Sequence, residues 1–247
     1  MGIKVHSQTT KKPYELIGEM MGVCYGSNTT DPIKNRRRGK EGISAGHGRV
    51  LEFPQIYLIM DEYSAKVMRE FYTHIGGDPT RLQASTRYIK YGDFDYVTPP
   101  NIKNNGNAKE IYDECMETIS SSIRELESLG IPKEDASGLL PLNYKTVVVC
   151  RTNLRMLIDM SHQRDCSRAY WEFRNHVMKD LEKALSEYDE EYAEIVNEYF
   201  KPKCEVMGYC EETRSCGRKP KKACQCRWFK WPKNILLSLE MALSNLG

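Results

Sequence analysis

The chain has 247 residues, 40% of them hydrophobic and 28% charged, enough for one sizeable core, or a core with a small appendage. Its 36 basic and 34 acidic residues leave a formal net charge of +2, so no overall field recruits nucleic acid or a membrane surface, and any anion site must be local. No apolar run reaches membrane-spanning length, and MGIKVHSQTTKKPYE lacks both the apolar stretch of a signal peptide and the hydroxyl residue that myristoylation favours; a cytoplasmic protein is expected.

In chain order, YELIGEMMGVCY (14–25) carries apolar residues at helical spacing. NTTDPIKNRRRGKEGISAG (28–46) is polar, basic and punctuated by glycine, and reads as a loop whose RRR run (36–38) is solvated. RVLEFPQIYLIM (49–60) reads as a turn into a strand, EYSAKVMREFYTHI (62–75) as a helix and GGDPT (76–80) as a sharp break. In TRLQASTRYIKY (80–91), Arg81, Gln83, Ser85 and Arg87 fall on alternate positions. An extended chain sends all four to one face, a set suited to a phosphate and the edge of a heterocycle. The competing reading is a half-solvated edge strand with its arginines outward.

VTPPNIKNNGN (97–107) reads as a loop, and AKEIYDECMETISSSIRELESLG (108–130) has a strong 3.6-residue period closing on glycine. Residues 139–188 run from a strand into helix, with Asn153 and Arg164 about three turns apart and able to face one cleft if the helix is unbroken. EEYAEIVNEYF (190–200) continues helically, and NILLSLEMALSNL (234–246) is a short amphipathic helix. Neither G-x-G-x-x-G nor G-x-x-x-x-G-K-[ST] occurs, so side chains must hold the phosphate of any nucleotide.

Of nine cysteines, Cys24, Cys115, Cys150 and Cys166 are scattered and read as small buried hydrophobes or inert thiols. Cys204, Cys210, Cys216, Cys224 and Cys226 crowd KPKCEVMGYCEETRSCGRKPKKACQC (201–226) at C-x5-C-x5-C-x7-C-x-C spacing, a partial match to zinc sites. Cys204, Cys210 and Cys216 are the candidate metal ligands, with a disulfide and free thiols as alternatives. Trp228, Phe229 and Trp231, interleaved with basic residues, are expected to pack on their own subunit rather than stack on nucleic acid.

Five segments in order resemble the flavin-dependent thymidylate synthases. GHGRVLEF (46–53) is similar to their G-H-x-S-x-L-E-H, and STRY (85–88) to their S-x-R-Y. LLPLN (139–143), TNLR (152–155) and RDCSRAYWEFR (164–174) are similar to L-P-L-N, N-A-R and R-x-C-x-x-A-Q-W-E-I-R. The resemblance covers roughly residues 14–200. It implies an α/β (α+β) fold with a mixed sheet and long helices, a catalytic domain over 1–203 and a Cys-rich extension over 204–247. It also implies a homotetramer with active sites built from several subunits, and reductive methylation of dUMP to dTMP using methylenetetrahydrofolate, FAD and NADPH.

On the same resemblance Ser85, Arg87 and Arg164 bind substrate, with Gln83 in place of a glutamate and Arg81 added through the face it shares. Ser85 and Arg164 are the candidate catalytic residues. Ser85 acts by hydrogen bonding, since no His-Asp pattern marks it as a nucleophile. His74, Asn153 and Arg155 contact FAD, joined by Arg168 where the family has a histidine. The chain departs from the pattern at several points: the family's R-H-R reads Thr73-His74-Ile75, its E-H histidine is Phe53, and an arginine before L-P-L is Ser137. Arg81, Arg49 or Arg69 would have to restore that positive charge. The departures leave two alternatives: a paralogue that modifies another pyrimidine nucleotide, and a non-catalytic nucleotide-binding homologue.

Overall fold

A computed structural model describes residues 2–74 and 80–222 of the chain. The readings made above on residues 76–79, on Cys224, Cys226 and the aromatic tail, and on 234–246 lie outside the described residues.

Four strands form one sheet in the order β1 (Ile3–Val5), β2 (Gln55–Ser64), β4 (Lys145–Asn153), β3 (Thr80–Gln83), and each neighbouring pair is antiparallel. The α/β (α+β) class therefore holds, but the sheet is antiparallel throughout where a mixed one was expected. Period-two geometry explains its two faces: Ile56, Leu58, Met60, Val148 and Cys150 are buried in the core, while Val149 and Leu82 face outward and stay exposed. β2 runs to Ser64, past the expected end at 60, through a bulge between Met60 and Tyr63 where Glu62 takes a positive φ of 72°.

The helices follow from caps and apolar faces. α1 (Pro13–Cys24) has proline in its first turn and buries Tyr14, Ile17 and Met21. α3 (Ala65–Phe71) begins because the Ser64 side chain accepts the Val67 N–H, and a 3-10 turn, Tyr72–His74, follows it. α4 (Pro100–Lys103) is one turn within the expected 97–107 loop, α5 (Gly106–Ser128) is capped by Asn105, and α6 (Lys133–Ala136) is another single turn. α7 (Leu154–Arg164) is unbroken and capped by Asn153. A π-turn, Phe173–Val177, leads into α8 (Met178–Tyr188), and Asp189 caps α9 (Glu190–Tyr199). Leu154, Leu157, Phe173, Leu181, Leu185 and Ile195 from these last elements close the core over the sheet. α10 (Lys203–Met207) ends at Gly208, whose φ is 77°.

Two expectations are corrected. Residues 28–46 are not a loop: α2 (Pro32–Ser44) is capped by Asp31, which accepts from the Ile33 and Lys34 N–H groups. Its inner face is made of Asn35, Gly39 and Gly42, with Ile43 as the one large apolar residue. Glycine lets the backbones of α1 and α2 nearly touch, since a Cβ on Gly18 would lie 1.8 Å from the Asn35 carbonyl oxygen and one on Gly39 2.0 Å from that of Tyr14. The RRR run is only partly solvated, because Arg36 pairs with the buried Glu191 and with Glu194 at 2.9 and 2.6 Å. Nor is TRLQASTRYIKY extended throughout. The strand ends at Gln83 and a turn covers 86–88, so Ser85 and Arg87 leave the face that Arg81 and Gln83 share.

Candidate active site

Arg164 ends α7, where a cation suits the negative end of the helix. Its Nε donates to His74 Nε2 at 2.7 Å, Nη1 pairs with Glu70 at 2.7 Å and Nη2 reaches Thr73 Oγ1 at 3.4 Å. The guanidinium lies 4.8 Å from the Phe173 ring centroid, and His74 meets the same ring edge-on at 5.9 Å. Burial, then the Arg164 charge, pushes His74 from 6.5 down to about 4. At neutral pH the imidazole is therefore uncharged, with Nε2 free to accept the Arg164 proton. The α3 segment thus fixes Arg164 from three sides, and the remaining N–H groups of its five-donor fork stay available to an anion or a carbonyl.

A second cluster adjoins through Tyr72. The Arg81 guanidinium stacks on the Tyr72 ring, 3.8 Å from its centroid. The Tyr72 hydroxyl donates to Gln83 Oε1 at 2.7 Å, and Gln83 Nε2 donates to Thr146 Oγ1 at 3.2 Å and the Tyr144 hydroxyl at 3.4 Å. Pairing of Arg81 with Cys150 and of Gln83 with Val148 places both on the core side of the sheet edge.

The other expected residues sit apart. Arg87 pairs with Glu134 at 2.7 Å with both side chains largely exposed, and its N–H donates to Ser85 Oγ at 3.2 Å. The Ser137 hydroxyl donates to the Thr86 carbonyl at 3.1 Å. Asn153 Oδ1 accepts the Met156 N–H at 3.0 Å as the α7 cap, and Arg155, one residue into that helix, pairs with Glu52 at 2.6 Å. Asn153 and Arg164 occupy opposite ends of α7, roughly 16 Å apart along the axis. Arg168 turns to the C-terminal segment, pairing with Glu212 at 3.2 Å and donating to the Arg214 carbonyl.

Sequence reasoning missed Glu70, Tyr72 and Glu172. Glu70 stands one helical turn before His74, a spacing that could have marked it as a neighbour. Glu172 is 2% exposed and accepts from the Ser64 N–H at 2.8 Å and the Ser64 hydroxyl at 2.6 Å. It thereby ties the helix after Arg164 to the start of α3.

A cavity of about 490 Å³ opens beside Arg164, lined by Cys166, Arg168, Cys204, Cys210 and Cys216 among others. Burial raises the Cys204 thiol, and Cys210, Cys166 and Cys216 add to that against the opposing Arg218. Among the described residues, no three His, Cys, Asp or Glu side chains are gathered to hold a metal ion, so the expected Cys204, Cys210 and Cys216 set is not preassembled. No helix among them is long and apolar enough to cross a membrane.

A sequence model of the family described as "Thymidylate synthase complementing protein" matches residues 6–200. A flavin-dependent thymidylate synthase of Nitratidesulfovibrio vulgaris is 28% identical over 236 residues, covering 85% of this chain and 92% of the relative. One of Pyrococcus horikoshii is 31% identical over 200 residues, covering 78% and 79%. Among solved structures, a Helicobacter pylori flavin-dependent thymidylate synthase complexed with FAD and dUMP superposes with a TM-score of 0.63 at 17% identity, over 81% of this chain and 100% of that one. That last likeness speaks for the fold.

Proposed function

The chain belongs to the thymidylate synthase complementing protein family, and from that premise we propose that it is a flavin-dependent thymidylate synthase, binding FAD and methylating dUMP to dTMP. The observation that carries this reading is the family match over residues 6–200, a span that includes Ser85, Arg87, Asn153, Arg155 and Arg164. Methylenetetrahydrofolate as one-carbon donor, NADPH as reductant and a cytoplasmic location complete the proposal.

The donor set suits these ligands. Arg155 stands at the N-terminus of α7, where backbone N–H groups and the helix dipole favour a phosphate. Its pair with Glu52 is about half exposed, so exchanging that partner for a phosphate costs little. Arg155, Asn153 and His74 are assigned to FAD, with Arg168 joining if it exchanges Glu212. FAD, when bound, supplies the hydride chemistry; the chain's own residues bind and orient. Arg164, held by His74 and Glu70, is assigned to a substrate oxygen in a fixed geometry, which is how preorganised charge lowers a barrier. Arg87, Arg81 and Ser85 are assigned to the nucleotide, and Gln83 to its base edge.

On one chain these groups stay apart, because Arg155 and Arg164 occupy opposite ends of α7 and Arg87 is tied to Glu134. The outer face of the sheet leaves Leu82 74% and Val149 38% exposed, an apolar surface suited to a second copy. We therefore assign shared active sites in a homotetramer.

The test is conversion of dUMP to dTMP by purified protein with methylenetetrahydrofolate, FAD and NADPH, with dCMP run in parallel. Arg164→Ala should lower turnover by about 100-fold or more while retaining flavin, and Arg155→Ala should lower flavin occupancy. Product from dCMP alone would favour the paralogue reading. A protein that holds no flavin and makes no product would overturn the assignment.

A further inference from the structure

We propose that Cys166, Cys204, Cys210 and Cys216 form a four-thiolate zinc site that fastens the C-terminal segment to the end of α7. The fold itself supplies the fourth ligand. Cys166 lies two residues beyond α7, the other three come from residues 204–216, and all four line the one cavity of about 490 Å³. The remaining described cysteines lie elsewhere: Cys24 and Cys115 are exposed and Cys150 sits in the sheet. Four thiolates from two separate segments match the closed coordination of a structural zinc.

Two further observations point the same way. Residues 201–222 bury only Pro202 and Cys210, yet they form α10 and a bridge between Cys210 and Lys221. Apart from bonds of Arg168 to the Arg214 carbonyl and of Arg218 to the Asp165 carbonyl, its ties are exposed ion pairs, Lys203–Glu211, Arg168–Glu212 and Arg218–Glu205, each worth at most about 1 kcal/mol. A segment with so little apolar burial needs a staple. Finally, zinc with four thiolates carries a net charge of −2, and Arg164, Arg168, Lys203 and Arg214 outnumber Glu211 and Glu212 in the cavity lining and offset it.

The thiols line the cavity without yet being drawn to ligand spacing. Binding draws them together and releases four thiol protons to solvent, so metal affinity becomes stability of this segment. Nothing here depends on flavin or nucleotide binding.

Metal analysis of the full-length, tag-free protein should find about one zinc per chain. Cys166→Ser and Cys216→Ser should each lose it, while Cys24→Ser and the Cys224→Ser/Cys226→Ser double variant should keep it. Where a serine variant fails to fold, the wild-type protein answers instead. Stripping zinc with a chelator should newly expose four alkylatable cysteines, mapped by mass to these four, and lower the melting temperature. Several outcomes overturn the site: a protein that neither carries nor takes up Zn²⁺, iron in its place, native masses showing two disulfides, or zinc that survives Cys166→Ser but not the double variant.

Discussion

The contact between Arg164 and His74 makes stability depend on pH in a defined window. A folded-state value of about 4 against the ordinary 6.5 means that below pH 6.5 the unfolded chain takes a proton that the folded chain refuses. The resulting penalty is absent above that pH, grows as pH falls and levels off below about 4. At about 1.36 kcal/mol per unit the whole window is worth about 3 kcal/mol, and roughly 2.5 kcal/mol of it falls between pH 7.5 and 4.5. His74→Gln removes the titration while leaving an amide oxygen to accept the Arg164 proton. Urea unfolding of both proteins, at one protein concentration and across that range, should show the wild type losing that much more stability than the variant. The comparison cancels other groups that titrate there, such as His162, which burial lowers, and Asp165, which burial raises. Equal losses in the two proteins, or an NMR titration placing His74 near 6.5, would refute the assignment of a buried neutral imidazole holding Arg164.

Glu172→Ala removes the acceptor of two buried bonds from Ser64. At about 1.5–3 kcal/mol for each charge-assisted bond, a loss of about 3 kcal/mol or more is expected, a fall of roughly 6–12 °C in melting temperature for a chain of this size. Glu172→Gln should cost about half as much, and an Ala variant melting with the wild type would show the pair to be incidental. Gly39→Ala drives a methyl against the Tyr14 carbonyl oxygen and should cost about 1–3 kcal/mol by overpacking. Gly106→Ala, at the open first position of α5, should be neutral in the same calorimetric comparison.

Apolar periodicity and caps made α1, α5 and α9 legible from residues alone, because each buries large side chains at helical spacing. α2 was hidden for the converse reason: its buried face is Asn35, Gly39 and Gly42, residues that read as loop until a neighbouring backbone is seen against them. The stretch after Gln83 misled differently. Ser85 accepts the Arg87 N–H through its hydroxyl and the Ile89 N–H through its carbonyl, and these local bonds close a turn where alternation suggested a strand. At the site, Arg164 and His74 were each singled out by motif, but for different ligands. That they bond to one another across 90 positions is a tertiary fact that no local pattern encodes, and Tyr72 became visible only with it.

The strand order also has a consequence during synthesis. β2 pairs on one side with the short β1 and on the other with β4, and about 80 residues separate the end of β2 at Ser64 from the start of β4 at Lys145. At 5–20 residues per second the ribosome needs roughly 4–16 s to cover that gap. For that interval QIYLIMDEYS emerges with one open edge and the core face of Ile56, Leu58 and Met60 uncovered. A trigger-factor-like chaperone should find its footing there, and a nascent chain arrested before Lys145 should remain protease-sensitive where one arrested beyond α9 does not.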